Sequence, residues 1–209
     1  TVSKNLLEGA LIVIFVLVLL LGNLRAGLIV ASVIPLALLF AICLMNLFGV
    51  DGNLMSLGAL DFGLIVDGAV IIIEATMHYL YIKHKGQVLT QDQMDHSVLS
   101  NARKMMSSAA FGQIVILIVY LPILALVGVE GKMFRPMAQT VSFAILGAFI
   151  LSLTYVPVMS TLFLSKKIST KSNSSDRIIN AIQRVYTPML NFALASKKLI
   201  VAIAIGLLI

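Results

Sequence analysis

Apolar runs of membrane length recur along this chain and constrain its fold more than any other feature. They fall at about 6–22, 26–47, 54–82, 105–128 and 137–164, and another begins at 199 and meets the end of the sequence. About 20 apolar residues cross the ~30 Å hydrocarbon core of a bilayer as an α-helix, and lipid offers no partner to an unpaired backbone amide. Sixty per cent of the 209 residues are apolar and 11% are charged, too much apolar surface for one soluble core of this length. The expected fold is an all-α polytopic membrane protein: a helix bundle of five full spans plus the start of a sixth.

Charge orients the bundle. Lys and Arg exceed Asp and Glu, for a formal net charge of +6, but the basic residues are not spread evenly. Arg25 follows the first run, Lys83, Lys85, Arg103 and Lys104 lie in the third connection, and Lys166, Lys167, Lys171, Arg177, Arg184, Lys197 and Lys198 lie in the fifth. The second and fourth connections hold only Lys132 and Arg135. By the positive-inside rule the first set is cytoplasmic, so the N-terminal end of the chain is expected outside. Basic residues spent on orientation need no nucleic-acid partner. Cys43, the single cysteine, has no second thiol in the chain to pair with. Neither end carries a start or stop signal, and the chain reads as an internal piece of a longer protein.

Three segments follow from the pattern. Residues 1–164 hold the five spans, with Pro35, Pro122 and Pro157 marking bends within them. Residues 165–198 begin with the Ser-rich linker "SKKISTKSNSSDR" and continue into an amphipathic helix. In it Ile178, Ile182, Val185, Met189, Leu190 and Ala193 form one stripe flanked by basic residues, as in a helix lying on the cytoplasmic face of a membrane. Residues 199–209 start the next span. In the third connection, Thr90 and Gln93 have capping-box spacing, and Met94, Val98 and Ala102 predict a short amphipathic helix leading into the fourth span. "FGVDGNLMS" and "VGVEGKMFRPM" read as outside loops.

The chemistry lies in "LDFGLIVDGAVIIIEA", Leu60–Ala75, which is almost wholly apolar yet carries Asp61, Asp67 and Glu74. An acid at the centre of a membrane helix costs roughly 2.5–3.5 kcal/mol even on lenient scales, so such residues face protein or water and serve function. On a continuous helix Asp67 and Glu74 fall within about 20° of each other and Asp61 is turned aside by about 120°. Gly58, Gly63 and Gly68, with Ala59 and Ala69, make the span small enough for close helix packing, which places it centrally. None of the 15 basic residues falls within a span to pair with these acids. Either the acids carry protons when shielded from water, or a cation comes from helices outside the chain. Both make them proton switches. The alternatives are acids that only fix helix packing, or acids that coordinate a cation directly.

Other coincidences carry less. "DFG" lacks every accompanying kinase element. Glu74 and His78 have i, i+4 spacing but are only two potential ligands. His84 and His96 fall in a polar connection. Met55, Met105, Met106 and Met159 suit packing better than a metal relay. The residues point to no cofactor and no enzyme active site.

The segment "LGALDFGLIVDGAVIIIEA" resembles the fourth transmembrane helix of the resistance–nodulation–division (RND) transporters, in particular their heavy-metal efflux branch of cobalt–zinc–cadmium type. "GNLRAGLIVASVIPLALL", "VYLPILALVGVEGKMFRPMA" and "LSLTYVPVMSTLFL" resemble the turn between the second and third helices, the fifth helix with its loop, and the sixth helix. Tyr186-Thr187-Pro188 resembles the amphipathic helix before the seventh. The resemblance implies family helices 2–6 in residues 1–164, and a proton relay formed by Asp61, Asp67 and Glu74, with Asp67 essential. It also implies exchange of protons for divalent heavy-metal cations by a homotrimer in the bacterial inner membrane. A periplasmic adaptor and an outer-membrane channel would complete the export route. One departure is Ala75, where the family usually has Asn after the last acid.

Overall fold

The structure, a computed structural model, describes residues 2–52, 61–167, 174–197 and 205–206. Its helices are α1 (Val2–Leu21), α2 (Leu24–Phe48), α3 (Phe62–His84), α4 (Gln91–Leu124), α5 (Gly128–Leu153), α6 (Tyr155–Phe163) and α7 (Ser174–Ala195). Among the described residues the only β contact is an antiparallel bridge between Val88 and Lys167. The chain divides into two compact units, Thr1–Thr170 and Lys171–Ile209.

In the first unit, local chemistry sets the helix ends. Asn23 starts α2 by accepting from the amides of Arg25 (3.0 Å) and Ala26 (3.3 Å). Gly49 closes it in the left-handed region, φ 63°, which a residue with a Cβ resists. The α1–α2 hairpin is tight: a Cβ on Gly27 would lie 2.5 Å from Val18 Cγ2 and 3.1 Å from its Cα. Apolar side chains such as Val30, Val33, Ile65, Ile72, Ile73 and Ile145 fill the core. Helix α3 packs against all five other helices of the unit, the central place its small residues predict.

Four described helices, α2 to α5, are long and apolar enough to cross a membrane. The expected first span falls on α1, whose described apolar stretch is Glu8–Leu21, and the run beginning at 199 lies almost wholly outside the described residues.

Boundaries differ from the expected ones in three places. The expected surface helix and fourth span are one unbroken α4 of 34 residues, about 51 Å at 1.5 Å per residue. It opens with the expected capping box: Gln93 N–H donates to Thr90 Oγ1, and Thr90 N–H to Gln93 Oε1. Residues 91–110 contain no Gly or Pro, so the backbone ladder continues where hydropathy changes. The supposed outside loop after Pro122 is mostly the first turns of α5. Conversely, the fifth span breaks at Thr154. Pro157 lacks the N–H that the Leu153 carbonyl would take, and proline is tolerated in the first turn of the restarted α6.

The connection from α3 into α4 meets the end of α6: Leu89 N–H donates to Lys166 O at 3.0 Å, and Gln91 Nε2 to Thr161 O at 3.3 Å. The two lysine-rich connections therefore share one end of the bundle, as their charge predicts. In the second unit, α7 forms where the amphipathic helix is expected and leaves Tyr186, Met189, Leu190 and Leu194 exposed. The linker residues 168–173 lie outside the described residues.

Candidate functional site

Helix α3 has two faces of different character. One buries Ile65, Val66, Gly68, Ala69, Ile72, Ile73, Thr76 and Leu80 against the bundle. The other exposes Asp67, Ile71, Glu74 and His78, at i, i+4, i+7 and i+11. Asp67 and Glu74 thus share a stripe, as their spacing requires, about 10 Å apart along the axis. Among the described residues this stripe is uncovered, so the acids do not point into this part of the bundle. Neither makes a hydrogen bond or ion pair with another described residue.

Asp61 does something else. Residues 53–60 lie outside the described residues, and α3 starts at Phe62 with Asp61 as its N-cap, φ −95° and ψ 111°. The angular reading of three acids on one helix therefore holds for Asp67 and Glu74 and not for Asp61. Its Oδ1 accepts from the Gly63 amide at 2.8 Å. A carboxylate suits this position because the first turn of a helix leaves unpaired N–H groups and a partial positive charge. Asp61 is also near enough to Asp67 for two charges to repel. Replacing Asp61 with Ala is expected to lower stability by about 1 kcal/mol through loss of the cap, read as a lower melting temperature of the full-length protein.

The two glycines of this helix also part company. Among the described residues a Cβ on Gly63 would meet only the Asp61 carboxylate, 3.1 Å away, so its smallness admits the cap rather than α4 or α5. Gly68 is a true packing glycine: a Cβ there would lie 3.1 Å from Ser152 Oγ on α5 and 3.3 Å from Gln113 Nε2 on α4. Three helices meet beside Asp67.

Gln113 is the residue the sequence reading missed. It is 2% exposed, and its Oε1 is the one buried side-chain polar atom among the described residues without a hydrogen-bond partner. The other buried groups are satisfied: Asn101 Nδ2 donates to Thr76 Oγ1 at 3.3 Å, and Ser152 Oγ to Phe149 O at 2.8 Å. Ser97, Asn101 and Gln113 are all buried on α4, on different sides of the helix, since 12 residues turn it by about 120°. A lone amide within an apolar run was the available signal. An orphaned carbonyl costs about 1–3 kcal/mol, so Gln113→Leu is expected to raise the melting temperature of the full-length protein; a fall would mean that a water satisfies Oε1.

Together these features describe a membrane-embedded helical protein whose central helix carries two carboxylates without a partner among the described residues. The chain belongs to the AcrB/AcrD/AcrF family, whose model it matches over residues 1–209. It is 48% identical over 206 residues to the cobalt-zinc-cadmium resistance protein CzcA of Cupriavidus metallidurans, covering 98% of this chain and 19% of that protein. With the nickel and cobalt resistance protein CnrA of the same organism it shares 49% identity over 197 residues, 93% of this chain and 18% of the relative. A crystal structure of a heavy metal efflux pump matches with a TM-score of 0.76 and 34% identity, over 99% of this chain and 18% of that one. The resemblance to the heavy-metal branch of the RND transporters is therefore shown. This chain spans about a fifth of the length of the curated relatives.

Proposed function

We propose that the chain is part of the proton-coupling membrane region of a pump that exports divalent heavy-metal cations in exchange for protons. The observation that carries this reading is the Asp67–Glu74 stripe: two acids at membrane depth, on one face of the central helix, without a described partner. A carboxylate in that setting changes charge according to whether it meets water, a cation or neither, and the change alters what the helix can pack against. Family membership supports placing the stripe's cover in parts of the longer protein outside this chain. Asp67 is the principal proton carrier in this reading. Glu74 is the second acid, followed by Ala75 where the family usually has Asn, and Asp61 both caps α3 and tunes Asp67 by its charge.

The whole pump is proposed to be a homotrimer of the bacterial inner membrane, with the N-terminal end of this chain periplasmic. It would work with a periplasmic adaptor and an outer-membrane channel, and α7 would lie on the cytoplasmic membrane surface. The test uses the full-length protein in proteoliposomes. Zinc or cobalt flux should follow an imposed pH gradient with the membrane potential clamped, and should collapse with a protonophore. Metal flux indifferent to the gradient sinks the proton-coupling reading.

A further inference from the structure

At the lysine-rich end of α3 and α4, two cations from different helices meet on one aromatic ring. Lys83 Nζ donates to Tyr79 Oη at 2.9 Å and lies 5.3 Å from the ring centroid; Lys104 Nζ lies 5.9 Å from the same centroid. Lys85 sits over the neighbouring Tyr81 ring at 5.0 Å. Both Lys83 and Lys104 are exposed, and neither has a carboxylate partner among the described residues. Two ammonium groups on one ring, neither with a described carboxylate partner, repel each other, and a shared anion relieves this.

The surface beside them says which anion. Lys104, Phe111, Val115 and Ile118 stand at i, i+7, i+11 and i+14, within about 60° of one another around α4. The three apolar members are exposed, Phe111 by 72%. Next to Phe111, Gly112 has open space where a Cβ would stand. A cationic head therefore tops an apolar stripe running along the helix towards the bilayer centre. Free phosphate would use only the head. A lipid uses both parts.

We propose that Lys83 and Lys104, bridged by Tyr79, bind the phosphate of an anionic phospholipid whose acyl chain lies along Phe111, Val115 and Ile118. The attraction is that of basic clusters on the cytoplasmic side of membrane helices for anionic headgroups. The site is independent of the proton stripe, which occupies other positions on α3.

The test is native mass spectrometry of the full-length protein with phosphatidylglycerol and, separately, phosphatidylcholine. Lys83→Gln/Lys104→Gln should weaken phosphatidylglycerol retention by about 30-fold, taking the usual contribution per lysine near an anionic surface. Phosphatidylcholine, whose phosphate is offset by its own quaternary ammonium, should lose much less, and Lys166→Gln/Lys167→Gln, which removes the same charge at the same end, should have little effect on either lipid. Phe111→Ser should weaken both lipids, and excess inorganic phosphate should not displace them. Equal losses in the two double variants would reduce the site to diffuse charge and overturn the proposal. So would unchanged phosphatidylglycerol retention, displacement by phosphate, or an acidic segment of the full-length protein found on Lys83 and Lys104. Both lysines are exposed, so the variants leave the packed core intact.

Discussion

In the full-length protein, Asp67→Asn is expected to lower proton-coupled metal flux by about 100-fold or more while leaving the fold and metal binding intact. The size reflects removal of a positioned proton carrier, which typically contributes 10²–10⁴-fold to a proton-transfer step. Asparagine keeps the shape of the carboxyl group and cannot exchange a proton. Within this chain Asp67 makes no hydrogen bond or ion pair with a described residue and packs outside the core, so the substitution removes no described contact. Two assays on one reconstituted preparation decide the matter: lumenal acidification under an imposed gradient, and equilibrium zinc or cobalt binding. Loss of both fluxes with binding preserved establishes coupling at Asp67. Continued proton movement with lost metal binding would make the acids ligands instead.

The second large effect is expected at Gly68. Alanine there would place its Cβ 3.1 Å from Ser152 Oγ and 3.3 Å from Gln113 Nε2, contacts that small side-chain shifts relieve. Leucine has no such escape, because its branch must enter the junction of α3, α4 and α5. Overpacking of this kind costs about 1–3 kcal/mol, and it also presses α3 away from its neighbours at the level of Asp67. Gly68→Leu should therefore lower the melting temperature and uncouple flux together, with Gly68→Ala intermediate. The equivalent change at Gly63 separates packing from capping. Among the described residues its Cβ would meet the Asp61 carboxylate alone, so Gly63→Ala should disturb the cap without moving α3 against α4 or α5. An equally large loss of flux in Gly63→Ala would remove the special standing of the Gly68 junction.

The Asp67–Glu74 stripe was legible in the sequence. Asp67 and Glu74 stand out because an acid in an apolar run is rare and costly, and their spacing alone puts them on one face. The capping box at Thr90 and Gln93 was readable because its two hydrogen bonds depend only on residues three apart. Gln113 was passed over because an uncharged amide barely interrupts a hydropathy profile; its significance appears only when its partners are counted. Asp61 was placed within a helix because the apolar run continues on its N-terminal side, yet its side chain caps the helix that follows.

By itself the sequence determined composition-driven properties: helices in a bilayer, the lysine-rich end of the bundle, and a central span recognisable by small residues and acids. These depend on transfer of side chains between water and lipid, which each residue carries with it. Only the tertiary structure decided where helices begin and end, which face of α3 the bundle leaves open, and which buried atom lacks a partner. Hydropathy marks the border between water and lipid. Helix ends follow the backbone hydrogen-bond ladder, so α4 runs on through a polar stretch while Pro157 stops a helix inside an apolar one.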